Sequence, residues 1–260
     1  MTELHISLAD EGIFQLGSVA VTNGMLAAFA VTAMLAAMAF FGGRTMGVVP
    51  SRLQVLLEVP FGFVRDQLTA AFGSRKEADK FMPLMLTLML FIGVSNQFSL
   101  VPLVSAVTWG ETPLLRVPTS VLGQTLAMSL VVVGLAHVLA LRISPLRHIG
   151  NFIKIESVLA IRKPADIGKA FLDVFLGLMD IVSEFAKVVS LAARLFGNVF
   201  AGEVMVAVIA SLTAYTKFFV PIPFYVLSIF SGLVQTLVFT LLSIQFVSAT
   251  VSSVRQKEAA

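Results

Sequence analysis

Ser190-Leu191-Ala192-Ala193-Arg194-Leu195-Phe196-Gly197-Asn198-Val199-Phe200-Ala201-Gly202-Glu203 lies inside an apolar segment that runs from Ile167 to about Tyr215 without a proline. A helix of that length reaches roughly 70 Å at ~1.5 Å per residue. The hydrocarbon core of a bilayer is only about 30 Å thick. Such a helix must tilt strongly, or part of it must lie outside the core. Near its middle stands Arg194, a guanidinium that costs roughly 2.5–3.5 kcal/mol at a bilayer centre on insertion scales. It keeps its proton, because its pKa stays above ~12. Such a residue either snorkels to the interface, neutralises a buried acid, or has a use for a permanent charge.

The rest of the chain fits a membrane setting. Its 260 residues are 57% hydrophobic and 13% charged, against about 25% charged in soluble domains. With no cysteine there is no disulfide framework and no thiolate metal site. His5, His137 and His148 are far apart and show no ligand spacing. No nucleotide-binding loop or nucleophile elbow is present, so neither a cofactor, a metal nor a nucleic-acid partner is expected. Glu3, Asp10 and Glu11 give the N-terminus the wrong charge for a cleavable signal.

Five spans are expected. The first runs from about Val21 to Phe41, the second from Phe81 to Val104 and the third from Ser120 to Leu141. Val49–Phe72 is broken by Pro50, Arg52, Glu58, Pro60, Arg65 and Asp66 and reads as an amphipathic helix on the membrane surface. The long Arg194 segment is the fourth. Pro221 and Pro223 then punctuate a turn, and Phe224–Val254 is the fifth, antiparallel to the fourth and equally tilted. The fold class is therefore an all-α polytopic membrane protein, a single membrane domain over residues 1–260. Residues 1–20 form an outer segment, 21–165 peripheral helices and loops, and 166–260 the tilted pair. Arg44, Arg52, Arg65, Arg75, Lys76 and Lys80 lie between spans one and two, and Arg142, Arg147, Lys154, Arg162, Lys163 and Lys169 between three and four. The opposite loops hold Arg116 and Lys217 alone. The positive-inside rule puts the N-terminus outside and the C-terminus in the cytoplasm.

On the long helix, Asp173, Asp180, Glu184, Lys187, Arg194 and Asn198 fall within a sector of about 80°. Ala186, Ser190, Ala193, Gly197 and Ala201 border them, small enough to let another backbone approach. This is either a polar seam packed against the protein's own helices or a face turned to a partner bundle. Glu203, nine residues past Arg194, lies on the far side of the helix. Ser228, Ser231 and Gln235 form a second stripe on the last helix. Gln235 needs a hydrogen-bonding partner in hydrocarbon, met by Arg194, by water, or by an interhelical bond that serves packing alone.

Ser190-Leu191, Arg194-Leu195-Phe196-Gly197-Asn198 and Ala201-Gly202-Glu203 together resemble the signature of subunit a of the F-type ATP synthase membrane sector. The resemblance extends to the surface helix after span one, to Ser95-Asn96 in span two, and to Pro118-Thr119 before span three. It implies a stator subunit in a bacterial plasma (inner) membrane, working against a ring of c subunits and held by a b-subunit peripheral stalk. Two offset half-channels would lead protons, or in some members sodium, to the ring carboxylates. By matching positions, Arg194 resembles the family's essential arginine, Asn198 and Glu203 its channel-lining polar residues, and Gln235 the glutamine facing the arginine. Asp180 is acidic in the family as here. Asp180, Glu184, Lys187 and Ser190 would form a rotor-facing or supporting stripe.

Two departures accompany the likeness. Ser228 stands where many members have a His or second acid, leaving Glu203 to supply the ionisable group of that pair. Ser120-Val121-Leu122-Gly123-Gln124 replaces a stretch that usually carries an Asp and an Asn, so water contacts there fall to Ser120 or Gln124. The competing class, a stand-alone secondary transporter, calls for broken helices and paired repeats, whereas this chain has one unbroken, overlong, polar-striped helix.

Overall fold

In the computed structural model, the described residues are 10–17, 19–44, 52–98, 108–109, 112–145, 148, 150, 164–212 and 219–259. They form six α-helices: α1 Asn23–Arg44, α2 Arg52–Phe72, α3 Arg75–Phe98, α4 Leu122–Ile143, α5 Pro164–Leu212 and α6 Pro221–Ala259. Four of these are long and apolar enough to cross a membrane: α1, α3, α4 and the Pro221–Val254 part of α6. α5 is not among those four.

Two short antiparallel hairpins accompany the helices, which the all-helical expectation did not include. β1 Gly12–Leu16 pairs with β2 Val19–Thr22, and β3 Thr108–Trp109 with β4 Thr112–Pro113. The first replaces the start expected for span one. Gly17, at φ 66°, takes the left-handed conformation the reversal needs. Thr22 then ends the strand and caps α1: its Oγ1 accepts from the Met25 N–H at 3.3 Å and donates to Asp10 at 3.0 Å. The far end of expected span two, residues 99–104, lies outside the described residues, as do residues 151–163 of the basic stretch between Arg142 and Lys169.

Prolines mark helix starts. Pro221 and Pro223 follow the turn at Phe219–Val220 and lie in the first turn of α6. The N–H groups there lack intrahelical acceptors, so proline loses nothing and presets φ. Pro164 opens α5 in the same way. Pro60 and Pro83 sit inside α2 and α3, which continue through them.

α2 turns back into α3 at Gly73, whose φ of 66° closes the helix with its N–H on the Thr69 carbonyl at 2.9 Å. Phe72 stacks on Phe81 across the joint, with ring centroids 4.6 Å apart. α2 is amphipathic as its sequence suggests. Val64 and Leu68 are fully buried, while Val55, Val59 and Phe61 stay exposed. It packs on α3 and α6.

The core lies where α3, α4, α5 and α6 meet, around Met85, Ile92, Val132, Leu191, Leu195 and Phe239. Glycines bring helices close at two points. A Cβ on Gly232 of α6 would come 3.2 Å from the Asn96 Cβ of α3, and one on Gly202 of α5 would come 3.2 Å from the Ser228 Oγ of α6. Asn96 Nδ2 uses the first approach to donate to the Gly232 carbonyl at 3.0 Å. Thr236, Thr240 and Ser243 are buried and return their hydroxyls to the carbonyls one turn back, each at 2.8 Å. A polar group in an apolar core is tolerated when it is bonded in this way.

Candidate functional site

The 49 residues of α5 give a helix about 74 Å long, and the sequence-derived site residues are distributed along it. One side buries Leu191, Ala192, Leu195 and Val199, the side on which it packs against α4 and α6. The opposite side leaves Phe171, Phe175, Val182, Phe185 and Val189 exposed. Arg194 stands at the edge of the buried side, its residue exposed. Among the described residues it makes no ion pair. Ser190, Ala193 and Ala201 beside it are exposed and Gly197 is half-buried. The strip of small residues is thus open to a neighbour rather than filled by the protein's own helices.

The polar stripe divides between neighbours. Asn198 turns to α6, where Ser231 Oγ donates to its Oδ1 at 2.5 Å and its Nδ2 donates to the Ser231 carbonyl at 3.2 Å. Glu184 and Lys187 form an ion pair at 2.6 Å, and Lys187 lies 5.6 Å from the centroid of Phe246 on α6. Asp180 is exposed.

Glu184 also faces α4, its Oε2 lying 3.4 Å from His137 Nε2. The other nitrogen of that ring, Nδ1, is 3.1 Å from Nε2 of His148, in the helical turn that follows α4. Histidines with no ligand spacing in sequence are therefore in contact. Eleven residues separate them; α4 ends at Ile143, and the His148 N–H donates to the Ser144 carbonyl at 3.1 Å. Burial holds the His148 imidazole below its ordinary value near 6.5; the facing His137 adds to the effect and Glu184 opposes it. Among the described residues no group of three or more His, Asp or Glu is placed to hold a metal ion.

At the other end of α5, Glu203 faces the 3-10 turn Pro118–Ser120 that precedes α4. The Ser120 side chain is a hydrogen-bond partner of its carboxyl, and the Arg116 guanidinium is close enough to act on its charge. Ser120 Oγ also lies 3.0 Å from the Val117 carbonyl. Its one proton serves one of these acceptors at a time. Thr119 Oγ1, Gln124 Oε1, Ser228 Oγ and Gln235 Nε2 are buried and, among the described residues, have no hydrogen-bond partner. Buried polar atoms of this kind are where proteins hold ordered water. Gln235 is buried on α6, and among the described residues no hydrogen bond joins it to Arg194.

Sequence reasoning had placed Ser120 and Gln124 here as candidates for water contact. It gave no role to Arg116, and it read Ser231 as part of a stripe without finding its partner Asn198. Two polar clusters result, one centred ten residues before Arg194 and the other nine after it. These offsets correspond to about 15 and 14 Å along the axis, and the clusters face different neighbours.

Comparison with known proteins identifies the family. The family described as ATP synthase A chain matches residues 25–248. ATP synthase subunit a 2 of a Bradyrhizobium species is 30% identical over 243 residues, covering 93% of this chain and 94% of that protein. ATP synthase subunit a of Moorella thermoacetica is 29% identical, covering 91% and 94%, and that of Desulfotalea psychrophila is 29% identical, covering 83% and 79%. With four helices long and apolar enough to span a bilayer and a family match over most of its length, the chain is a multi-pass membrane protein that belongs to the ATP synthase A chain family.

Proposed function

We propose that this chain is the ion-conducting stator subunit of a rotary ATP synthase, with Arg194 presented to the passing carboxylates of a c-subunit ring. One observation carries the reading: Arg194 lies exposed and, among the described residues, without an ion pair on an open strip of small residues, between two polar clusters that face different neighbours. Small residues allow a partner helix to approach closely. A permanent cation beside a ring carboxylate favours its charged form, so the ion is released there. The same charge repels any cation that would leak from one cluster to the other. Arginine does both because it stays protonated, whereas a desolvated lysine can lose its proton.

In this reading α5 is the fourth of five crossings and forms a tilted antiparallel pair with α6, all within one membrane domain. The basic stretches put the N-terminus outside and the C-terminus in the cytoplasm of a bacterial plasma membrane. Glu203, Ser120, Ser228 and Gln235 line an outer half-channel, with Asn198 between it and the arginine. Asp180, Glu184, Lys187 and Ser190 belong to the inner side. A peripheral stalk of b subunits holds the stator, and the translocated ion is the proton. Each charge that crosses contributes about 2.3 kcal/mol per 100 mV.

The chain has no cysteine, so a single one placed at exposed Ala193 is an unambiguous probe. In the assembled complex, Ala193→Cys is expected to form an oxidative cross-link with a cysteine on the membrane-embedded face of the c subunit. Cross-linking to other subunits alone, with none to the ring, overturns the reading.

A further inference from the structure

We propose that Asp10 is a second carboxyl of the outer ion path, placed by the N-terminal hairpin to draw protons from the outer water toward Glu203. This rests on the stator reading and on the outward N-terminus set by the basic loops. The stretch Ser120–Gln124 at the start of α4 has no acid of its own. Asp10 brings one to it from the N-terminal segment.

The placement follows from contacts on both sides of the carboxyl. Oδ2 accepts from Thr22 Oγ1 at 3.0 Å, a bond that closes the β1–β2 hairpin from just before β1 to the last residue of β2. Oδ1 is buried and, among the described residues, has no hydrogen-bond partner. Both oxygens lie 2.9 Å from the point where a Cβ of Gly24 would stand, and Val121 Cγ2 lies 3.0 Å from the same point. A glycine in the first turn of α1 is what lets the carboxyl and Val121 meet there. Val121 directly follows the 3-10 turn Pro118–Ser120. Ser120 is the hydrogen-bond partner of the Glu203 carboxyl, and the Arg116 guanidinium acts on the same carboxyl. The Arg116 backbone N–H donates to the Asn23 carbonyl at 3.4 Å, tying this segment to the start of α1. Asp10 and Glu203 thus adjoin one short turn. Inside it Thr119 is fully buried, and its Oγ1 has no hydrogen-bond partner among the described residues. A hydroxyl in that state calls for water.

The role is electrostatic. Asp10 is half-buried, at the boundary between outer water and the helix bundle. Its carboxylate can accept about four hydrogen bonds, and Thr22 supplies one. The charged groups around it among the described residues are Glu11, next in the chain, Arg116 ahead of the 3-10 turn and Glu203 beyond it; β2 and the first turn of α1 carry none. Carboxyls therefore outnumber the single guanidinium at this mouth. An entrance of one sign of charge raises the arrival rate of the opposite charge by about 10–10³-fold, and the gain falls steeply with ionic strength.

The test uses the whole complex in liposomes, its outer face toward the lumen, with ATP synthesis driven by a lumenal acid jump at a clamped potential. Asp10→Asn keeps an acceptor for Thr22 and removes the charge. With the lumen near neutral pH and at low salt, it is expected to cut the rate about tenfold, the low end for electrostatic focusing. The ratio to wild type is expected to rise toward one as the lumen is acidified, because supply no longer limits. It should also rise from about 0.01 M to about 1 M lumenal salt, where the screening length falls from about 30 Å to about 3 Å. Asp10→Ala should show the same defect. Adding Gly24→Asp to it returns a carboxyl to the same place and should restore most of the rate. Wild-type rates in Asp10→Asn at every pH and salt overturn the proposal. So does a deficit that neither acid nor salt narrows, or an Asp10→Asn complex that does not assemble, since either marks a structural tie. Failure of Gly24→Asp to restore an assembled Asp10→Ala complex overturns it as well. Arg194→Ala in the same liposomes separates the two claims. If it still makes ATP, the stator reading itself fails; if it is inactive while Asp10→Asn behaves as wild type, only the role of Asp10 fails.

Discussion

Replacing Arg194 with Ala tests the central residue most directly, because the structure separates its effect on folding from its effect on function. Arg194 is exposed and makes no ion pair among the described residues. Its loss leaves no buried partner charge, and such substitutions usually stay within about 0.5 kcal/mol. The complex should therefore assemble. The functional loss is larger. A cation within a few ångströms lowers a carboxyl pKa by about 1–3 units, and each unit is worth about 1.4 kcal/mol. Without it the ring carboxyl favours its protonated form by about 1.4–4 kcal/mol more, comparable to the ~2.3 kcal/mol that 100 mV supplies per charge. ATP-driven acidification of inverted vesicles should fall by about a hundredfold, the middle of the range those shifts imply. Arg194→Lys should fail as well, since an ammonium can shed its proton when desolvated and lacks the planar fork. Pumping within twofold of wild type in Arg194→Ala would refute the stator argument. Full pumping in Arg194→Lys alone would refute the argument from permanence of charge.

Three further expectations follow from the geometry. Glu203→Gln should assemble and slow ion flux several-fold, a loss at the low end for an acid–base group, and cysteines at 203 or 228 should react with a small water-soluble thiol reagent; no labelling at either site, beside labelling of an exposed loop cysteine, removes the outer half-channel from this helix pair. Gly232→Ala places a methyl group 3.2 Å from the Asn96 Cβ and should destabilise the detergent-solubilised protein by about 1–3 kcal/mol through overpacking, with an unchanged melting temperature as the contrary result. The lowered pKa of His148 means its protonation costs more in the folded protein than in the unfolded chain. Its contribution is intact above pH 6.5 and is lost as pH falls through the lowered value, so thermal stability should drop on mild acidification, and less so in His148→Gln. Equal acid sensitivity of the two proteins would count against this assignment.

Much of the helical layout was legible in the sequence because bilayer thickness and apolar run length nearly fix it. The spans at Asn23–Arg44, Arg75–Phe98 and Leu122–Ile143 lie within a few residues of the expected ones, apart from the far end of span two, on residues outside the described set. The unbroken α5 followed from the absence of proline. Proline read as punctuation held at Pro221 and Pro223, which follow the turn at Phe219–Val220 and open α6, because a helix's first turn accepts what its interior resists. The β1–β2 hairpin escaped notice because its apolar alternation is short and merges into the apolar start of α1.

Periodicity placed Arg194, Asn198 and Glu203 correctly around one helix, since a 100° step per residue is local geometry. It could not say which neighbour each side chain would meet. Only the packing of α4, α5 and α6 decided that Asn198 takes Ser231, that Glu203 takes Ser120, that Gln235 is buried apart from Arg194 in hydrogen-bonding terms, and that His137 meets both Glu184 and His148. The sequence determined a membrane protein of this family and the face on which its fixed charge stands. The tertiary structure decided the partners, because contacts between helices depend on crossing geometry, and close approaches such as those at Gly202 and Gly232 are set by three-dimensional packing rather than by spacing along the chain.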